Sequence, residues 1–119
     1  MGKPRQLNLV PRVKVWFETE AGFGFGSGLV AILIAVETVG SLKGAAKVLG
    51  RSYRHIWDRV KEAEHALGMT LVETQVGGTG TRRSFLSDAG RELVDEFVLL
   101  RENMVAAMDR ESSKRSVDT

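Results

Sequence analysis

Three short helical segments in the middle of the chain, each ending at a glycine, constrain the fold more than any other feature of the sequence. Glycine readily adopts the left-handed conformation that often ends a helix, and Gly40, Gly50 and Gly68 stand at the three ends. Ser41 and Ser52 precede the second and third segments and can cap them. The sequence therefore predicts three consecutive helices joined by tight turns.

The second and third of these helices have the spacing of a helix-turn-helix. Ala45 and Ala46 supply the small side chains that two helices need where they cross closely, and Ile56 and Val60 can pack back from the third helix. The opposite face of this third helix, residues 52–67, is polar and carries Arg54, His55, Asp58, Arg59 and Lys61. A cationic face at this position is typical of a helix that enters the major groove of DNA.

Charge is unevenly distributed, although the net charge of the chain is only +2. Residues 41–61 hold six cations and one anion, whereas residues 88–111 hold three cations and seven anions. The first segment is suited to contact phosphate and the second is not. On charge alone, two solvated faces without a partner would explain the pattern equally well.

Two hairpins are expected on either side of the helices. Residues 12–20 alternate between apolar and charged side chains, and the glycine-rich residues 21–28 follow as a turn and a return strand. The glycines do not match the G-x-G-x-x-G motif of dinucleotide-binding proteins. Residues 71–76 are typical of a strand, and a wing at residues 77–84 is predicted to carry Arg82 and Arg83 at its tip.

The last predicted helix begins at Asp88 and runs to about Glu111. Its apolar residues are spaced four, three, four and three apart, as in a coiled coil: Leu93, Phe97, Leu100, Met104 and Ala107. This strip exceeds what one small domain needs from one helix, so the first four of these residues are predicted to form a dimer interface. Residues 1–111 are predicted to form a single domain and residues 112–119 a disordered polar tail.

The residues disfavour several functional classes. The two histidines, His55 and His65, lie too far apart on one helix to share a metal, and the chain has no cysteine. We find no catalytic constellation, metal set or cofactor motif, and therefore expect a binding protein rather than an enzyme. The longest apolar run, residues 29–36, is too short to cross a membrane, and no targeting motif is found. The expected location is the cytoplasm.

Residues 12–100 resemble the N-terminal DNA-binding domain of the molybdate-responsive ModE repressors. The likeness is carried by V-K-V-W-F-E at 13–18, Gly40-Ser41, S-Y-R-x-x-W at 52–57, L-V-E-T-Q-V-G-G-T-G at 71–80 and L-S-D-A-G at 86–90. LysR-type regulators have a similar helix-turn-helix, but Tyr53 with Trp57, the N-terminal hairpin and the glycines at 77 and 78 favour the ModE-like family.

The resemblance implies a mostly α-helical winged helix-turn-helix with small β-hairpins, including one at the N-terminus, and a long C-terminal dimerisation helix. The residues expected to contact DNA, including general electrostatic contacts, are Lys43, Arg51, Ser52, Tyr53, Arg54, His55, Arg59, Arg82 and Arg83. Trp57 is expected to pack in the core. The basic T-G-T-R-R wing departs from the glycine-rich wing of the family. Members of the ModE family bind molybdate in a further C-terminal domain, so molybdate binding is not expected from this chain.

The predicted function is that of a homodimeric, sequence-specific transcriptional regulator that binds double-stranded DNA. The recognition helix, residues 52–67, would enter the major groove, and the wing would contact the backbone or the minor groove. The alternative is a dimeric winged-helix module that binds another protein without specific DNA binding.

Overall fold

The computed structural model describes residues 7–78 and 82–117. The elements, in chain order, are β1 (Trp16–Glu18), β2 (Gly24–Gly26), α1 (Ser27–Val39), α2 (Leu42–Leu49), α3 (Tyr53–Leu67), β3 (Val72–Val76), β4 (Arg82–Leu86) and α4 (Asp88–Val117). The strands form two separate antiparallel hairpins, β1–β2 and β3–β4. The predicted fold is confirmed: a mostly α-helical winged helix-turn-helix with small hairpins.

The helix boundaries follow the predicted caps. The Ser41 hydroxyl accepts a hydrogen bond from the Gly44 amide at 2.8 Å, and the Ser52 hydroxyl accepts one from the His55 amide at 3.0 Å. Gly40, Gly50 and Gly68 all have positive φ at the ends of α1, α2 and α3. These local interactions fix the turns that orient α3 relative to α2.

The core lies between α1 and the helix-turn-helix. Its fully buried residues include Leu29, Leu33, Val36, Ala45, Ile56, Val60, Ala63 and Leu71. The helices α1 and α2 approach so closely that a Cβ on Gly44 would overlap the side chain of Val39. The small residues of α2 therefore allow the close contact that positions α3 on the surface.

The wing is attached to the end of α1. In the β3–β4 register, Val76 pairs with Arg82 and Thr74 with Ser84. The Ser84 amide donates a hydrogen bond of 2.8 Å to the carbonyl of Gly40. The predicted hairpin is present, with Arg82 and Arg83 paired in β4, and residues 79–81 of the predicted wing lie outside the described residues.

Glu37 joins α1 to the last residue of β4 and to the first turn of α4. Its carboxylate accepts a hydrogen bond of 2.7 Å from the Leu86 amide, and its other oxygen lies 3.3 Å from the Arg91 guanidinium. The Leu86 amide lowers the pKa of Glu37 below its ordinary value against the opposing effect of burial, and Arg91 and Arg83 lower it further. The ionised form of Glu37 therefore stabilises this junction.

The N-terminal hairpin packs on the first half of α4. Phe17 of β1 contacts Phe97 edge to face at 6.1 Å between ring centroids, and Phe97 is only 1% exposed. Leu93 also packs against the core of its own domain. The prediction that Phe97 forms a dimer interface was therefore wrong, because the hairpin covers it, whereas the role of the partly buried Leu93 stays a prediction.

The second half of α4 extends away from the domain. Met104 and Val105 are exposed, and the molecule is elongated, measuring 75 × 31 × 20 Å. The helix runs to Val117 rather than ending near Glu111, so residues 112–117, expected to be a disordered tail, are helical. Residues 118 and 119 lie outside the described part of the chain.

Candidate nucleic-acid interface

A groove separates α3 from the wing, and we call it the wing groove. It contains two adjoining pockets of about 340 and 310 Å³. Both are lined by Leu42 from the start of α2, Tyr53 from the start of α3, Thr74 from β3 and Arg82 from β4. The fold thus brings together four elements that are separated in the sequence.

The wing groove is lined by three cations, of which Lys61 also pairs with Glu64 at 3.2 Å. Lys43 lies at one end and Lys61 at the other, with Arg82 between α3 and the wing. Among the described residues that line the two pockets, none is a carboxylate. Three cations around a concave surface attract a polyanion such as a nucleic-acid backbone.

Arg54 projects from the first turn of α3, where its side chain is 77% exposed. Its Nε atom lies 3.2 Å from the carboxylate of Asp58, and its guanidinium lies 5.1 Å from the ring centre of Trp57. The carboxylate and the indole together hold the guanidinium over one face of the helix. A guanidinium held in this way keeps its donors available for a guanine edge or a phosphate.

Trp57 does not lie in the core, where it was expected from its residue type. It is half-buried and lines the wing groove, and the Lys61 ammonium lies 5.8 Å from its ring centre. The indole therefore contacts two cations, Arg54 and Lys61, through the face of its ring. Both cations therefore lie against the indole at the edge of the groove.

Arg59 lies apart from Arg54 on the other edge of α3. It is close to Glu62, at 3.6 Å, and lines a pocket beside the N-terminal end of α1 together with Lys14 and Trp16. The structure therefore does not bring Arg59 to the wing groove. His55 is exposed on the polar side of α3, between these two regions.

The two wing arginines point in different directions because successive residues of a strand alternate between its faces. Arg82 lines the wing groove, whereas Arg83 lies near the end of α1 and contributes to the lowered pKa of Glu37. A Cβ on Gly40 would lie 4.0 Å from Cγ of Arg83. Of these two arginines, Arg82 is therefore the one whose side chain faces α3 across the wing groove.

The remaining predicted residues flank α3. Arg51 is exposed in the turn between α2 and α3, and its amide donates to the carbonyl of Ala46. The hydroxyl of Ser52 caps α3, so its lone pairs are partly used within the chain. Sequence reasoning did not select Thr74 or Lys61 for the groove, although the alternation of β3 places Thr74 on the same face as Val72.

Within residues 7–78 and 82–117, no group of three histidine, cysteine, aspartate or glutamate side chains could hold a metal ion. No helix in these ranges is both long and apolar enough to cross a membrane.

Comparison with known proteins gives consistent results. The family model described as a bacterial regulatory helix-turn-helix protein of the lysR family matches residues 28–91. The molybdenum transport protein ModE of Azotobacter vinelandii is 30% identical over 97 residues, which are 82% of this chain and 36% of that protein. The DNA-binding transcriptional dual regulator ModE of Escherichia coli is 30% identical over 80 residues, 67% of this chain and 30% of that protein. The chain thus spans about a third of the length of these relatives.

Solved structures show the same fold. The complex of the CbnR DNA-binding domain with DNA has a TM-score of 0.57 at 25% identity and covers 73% of this chain and 94% of that chain. Full-length LysG from Corynebacterium glutamicum with bound effector Arg has a TM-score of 0.56 at 26% identity and covers 76% of this chain and 30% of that chain. The sequence relatives thus confirm the resemblance to ModE-like regulators, and the solved structures confirm the winged helix-turn-helix fold.

Proposed function

Because this chain belongs to the bacterial regulatory helix-turn-helix proteins of the LysR family, we propose that it is a transcriptional regulator that binds specific sites in double-stranded DNA. The wing groove is the observation that carries the proposal, since three cations and no described carboxylate line it. The protein would act in the cytoplasm by binding rather than by catalysis. Molybdate is not expected to bind to this domain.

The geometry supports two separate roles in DNA binding, one for residues that read bases and one for residues that contact phosphates. Arg54 and His55 at the exposed start of α3 would enter the major groove, where base edges can be read. Lys43, Lys61 and Arg82 around the wing groove would contact phosphates, which position the protein without reading sequence. Arg59 is left out of this interface.

We propose a homodimer that forms through the part of α4 that follows Phe97. Leu100 is half-buried and Met104 is 40% exposed, and both lie beyond the part of the helix that the N-terminal hairpin covers. A two-fold dimer would present two recognition helices to successive major grooves about 34 Å apart. The preferred DNA site would then contain inverted half-sites separated by about one helical turn.

The test is a titration of the wild-type chain with a duplex selected from a random pool and with random duplex, each at several salt concentrations. We expect the selected duplex to bind roughly 10³-fold more tightly or better, as is typical of specific binding, and both affinities to fall steeply with salt. Equal affinity for both duplexes would contradict sequence-specific binding. Loss of DNA binding at physiological salt would favour the alternative of a protein-binding module with an acidic partner.

A further inference from the structure

The segment that precedes β1, residues 7–15, carries apolar side chains that its own domain does not cover; we call it the N-terminal arm. Leu7, Leu9 and Val10 are 67%, 77% and 67% exposed. Val13 is exposed as well. Several large apolar side chains exposed along one short segment are characteristic of a surface that binds another protein.

An apolar pocket of about 210 Å³ lies beside the N-terminal hairpin, where α4 crosses the domain; we call it the α4 pocket. Phe17, Phe25 and Leu71 form its floor together with Leu93. Two exposed carboxylates of α4, Glu92 and Glu96, stand among its lining residues. The pocket therefore combines an apolar floor with an acidic rim.

The N-terminal arm and the α4 pocket are complementary in chemistry. The arm alternates apolar residues with Arg12 and Lys14, and the sequence contains no acidic residue before Glu18. Arg12 would meet Glu92 or Glu96 at the rim while a leucine of the arm enters the apolar floor. Exposed ion pairs contribute little energy, so burial of the leucines would supply affinity and the charges would set orientation.

We infer that the N-terminal arm of one protomer docks in the α4 pocket of a second copy of this chain. The arm of the same chain is a poor occupant, because it runs directly into β1, whose Phe17 already lines the pocket. The structure shows Leu7, Leu9 and Val10 of that arm exposed rather than inserted. Nine residues can span at most about 30 Å, which is enough to reach a partner joined through α4.

DNA is another surface that a basic arm can contact, since Lys14 lines a pocket with Arg59 of α3, but the arm lies away from the wing. The N-terminal hairpin leads into the start of α1, whereas the wing is bound to Gly40 at the other end of α1. Helix α1 has 13 residues and is therefore about 20 Å long. The arm thus leaves the domain at the end remote from the wing.

The chain contains no cysteine, which allows the inference to be tested by cross-linking between single-cysteine variants. Leu9→Cys and Glu96→Cys chains of different tag length are mixed and treated with a short bismaleimide. We expect a cross-linked product that contains one chain of each kind. A mixture of Leu9→Cys with Glu73→Cys, on the exposed side of the wing, is the control and should give none.

A double variant that carries Leu9→Cys and Glu96→Cys distinguishes the two possible arrangements. A cross-link within one chain, at monomer mass, would show that the arm folds back on its own domain and would overturn the inference. The absence of any mixed product, with the dimer intact, would overturn it as well.

A second experiment measures what the arm contributes to assembly and rests on the proposed homodimer. Replacement of Leu7, Leu9 and Val10 by Ser should weaken dimerisation about tenfold or more in sedimentation equilibrium, because apolar burial is lost. Leu99→Ser, a change on an exposed face of α4, is the matched control and should have little effect.

The possible outcomes distinguish docking of the arm from dimerisation through α4. A wild-type chain that is monomeric at tens of micromolar would overturn both the homodimer and the docking of the arm. A dimer that is unaffected by the serine variant would overturn only the arm. Weaker DNA binding with unchanged dimerisation would instead assign the arm to DNA.

Discussion

The helix-turn-helix segment, residues 41–61, and the helix α4 carry opposite net charge. The outward side of α3 carries Arg54 and Lys61 next to the wing groove, whereas all seven acidic residues between positions 88 and 111 lie on α4. One face of α3 is buried in the core, while α4 is buried only over its first half. The placement of the two helices thus gives one chain two separate surfaces. The surface at α3 suits a polyanion, and the surface at α4 suits a second protein.

Phe97 offers the largest expected effect, because it belongs to the covered half of α4. Phe97→Ala should destabilise the monomer by about 3–5 kcal/mol, since it removes a fully buried ring that packs on Phe17. Chemical denaturation measures the loss. Met104→Ala, in the projecting half, should change the stability of the monomer much less and weaken dimerisation instead; equal destabilisation by both variants would remove the distinction.

Arg54 tests the other side of the comparison. Arg54→Ala should weaken binding to the selected DNA site by about 1–3 kcal/mol, because the exposed guanidinium at the start of α3 is removed. Arg110→Ala removes the same charge from an exposed position on α4 and serves as the control in the same equilibrium titration. If the two variants bind equally well, net charge rather than placement governs the affinity.

The two wing arginines provide a finer contrast. Arg82→Ala should reduce the slope of log K against log salt by about 0.9 for each phosphate that a protomer no longer neutralises, on selected and random duplexes alike. Arg83→Ala should reduce it less, since Arg83 lies near Glu37 rather than in the wing groove. Identical slopes for the two variants would show that the wing rearranges on binding.

Glu37 gives the smallest expected effect. Its pKa is lowered in the folded protein, so its contribution to stability is present above its ordinary pKa and is lost as the pH falls through the lowered value. Acid titration of unfolding should therefore show a steeper loss of stability between about pH 5 and 3 for the wild-type chain than for Glu37→Gln. Parallel curves for the two proteins would contradict this role of the carboxylate.

Local chemistry accounts for what the sequence predicted correctly. Ser41, Ser52, Gly40 and Gly50 act through hydrogen bonds and backbone conformations within a few residues, so their roles are visible without the fold. The helix-turn-helix and the exposed position of Arg54 follow from these caps and from helical periodicity.

Interactions between distant elements account for what the sequence did not predict. Phe97 satisfies a coiled-coil spacing, but the N-terminal hairpin covers it with Phe17, which no periodicity within α4 can indicate. Helical periodicity puts Arg59 and Arg54 on the same polar face of α3. In the structure, however, Arg59 lines a different pocket, beside the start of α1. Trp57 was placed in the core because of its residue type, whereas the groove beside the wing leaves it half-exposed.

The hydrogen bond between the Ser84 amide and the Gly40 carbonyl has a kinetic consequence. It fastens β4 to the end of α1, beside Ser41, which begins the helix-turn-helix. The Ser84 amide can exchange its hydrogen with solvent only when this junction opens, so its protection should report on separation of the wing from α1 rather than on fraying of the loop. DNA that contacts both α3 and the wing would hold the two together and oppose this opening. Hydrogen exchange at Ser84 should then slow more than exchange at the outer end of the hairpin.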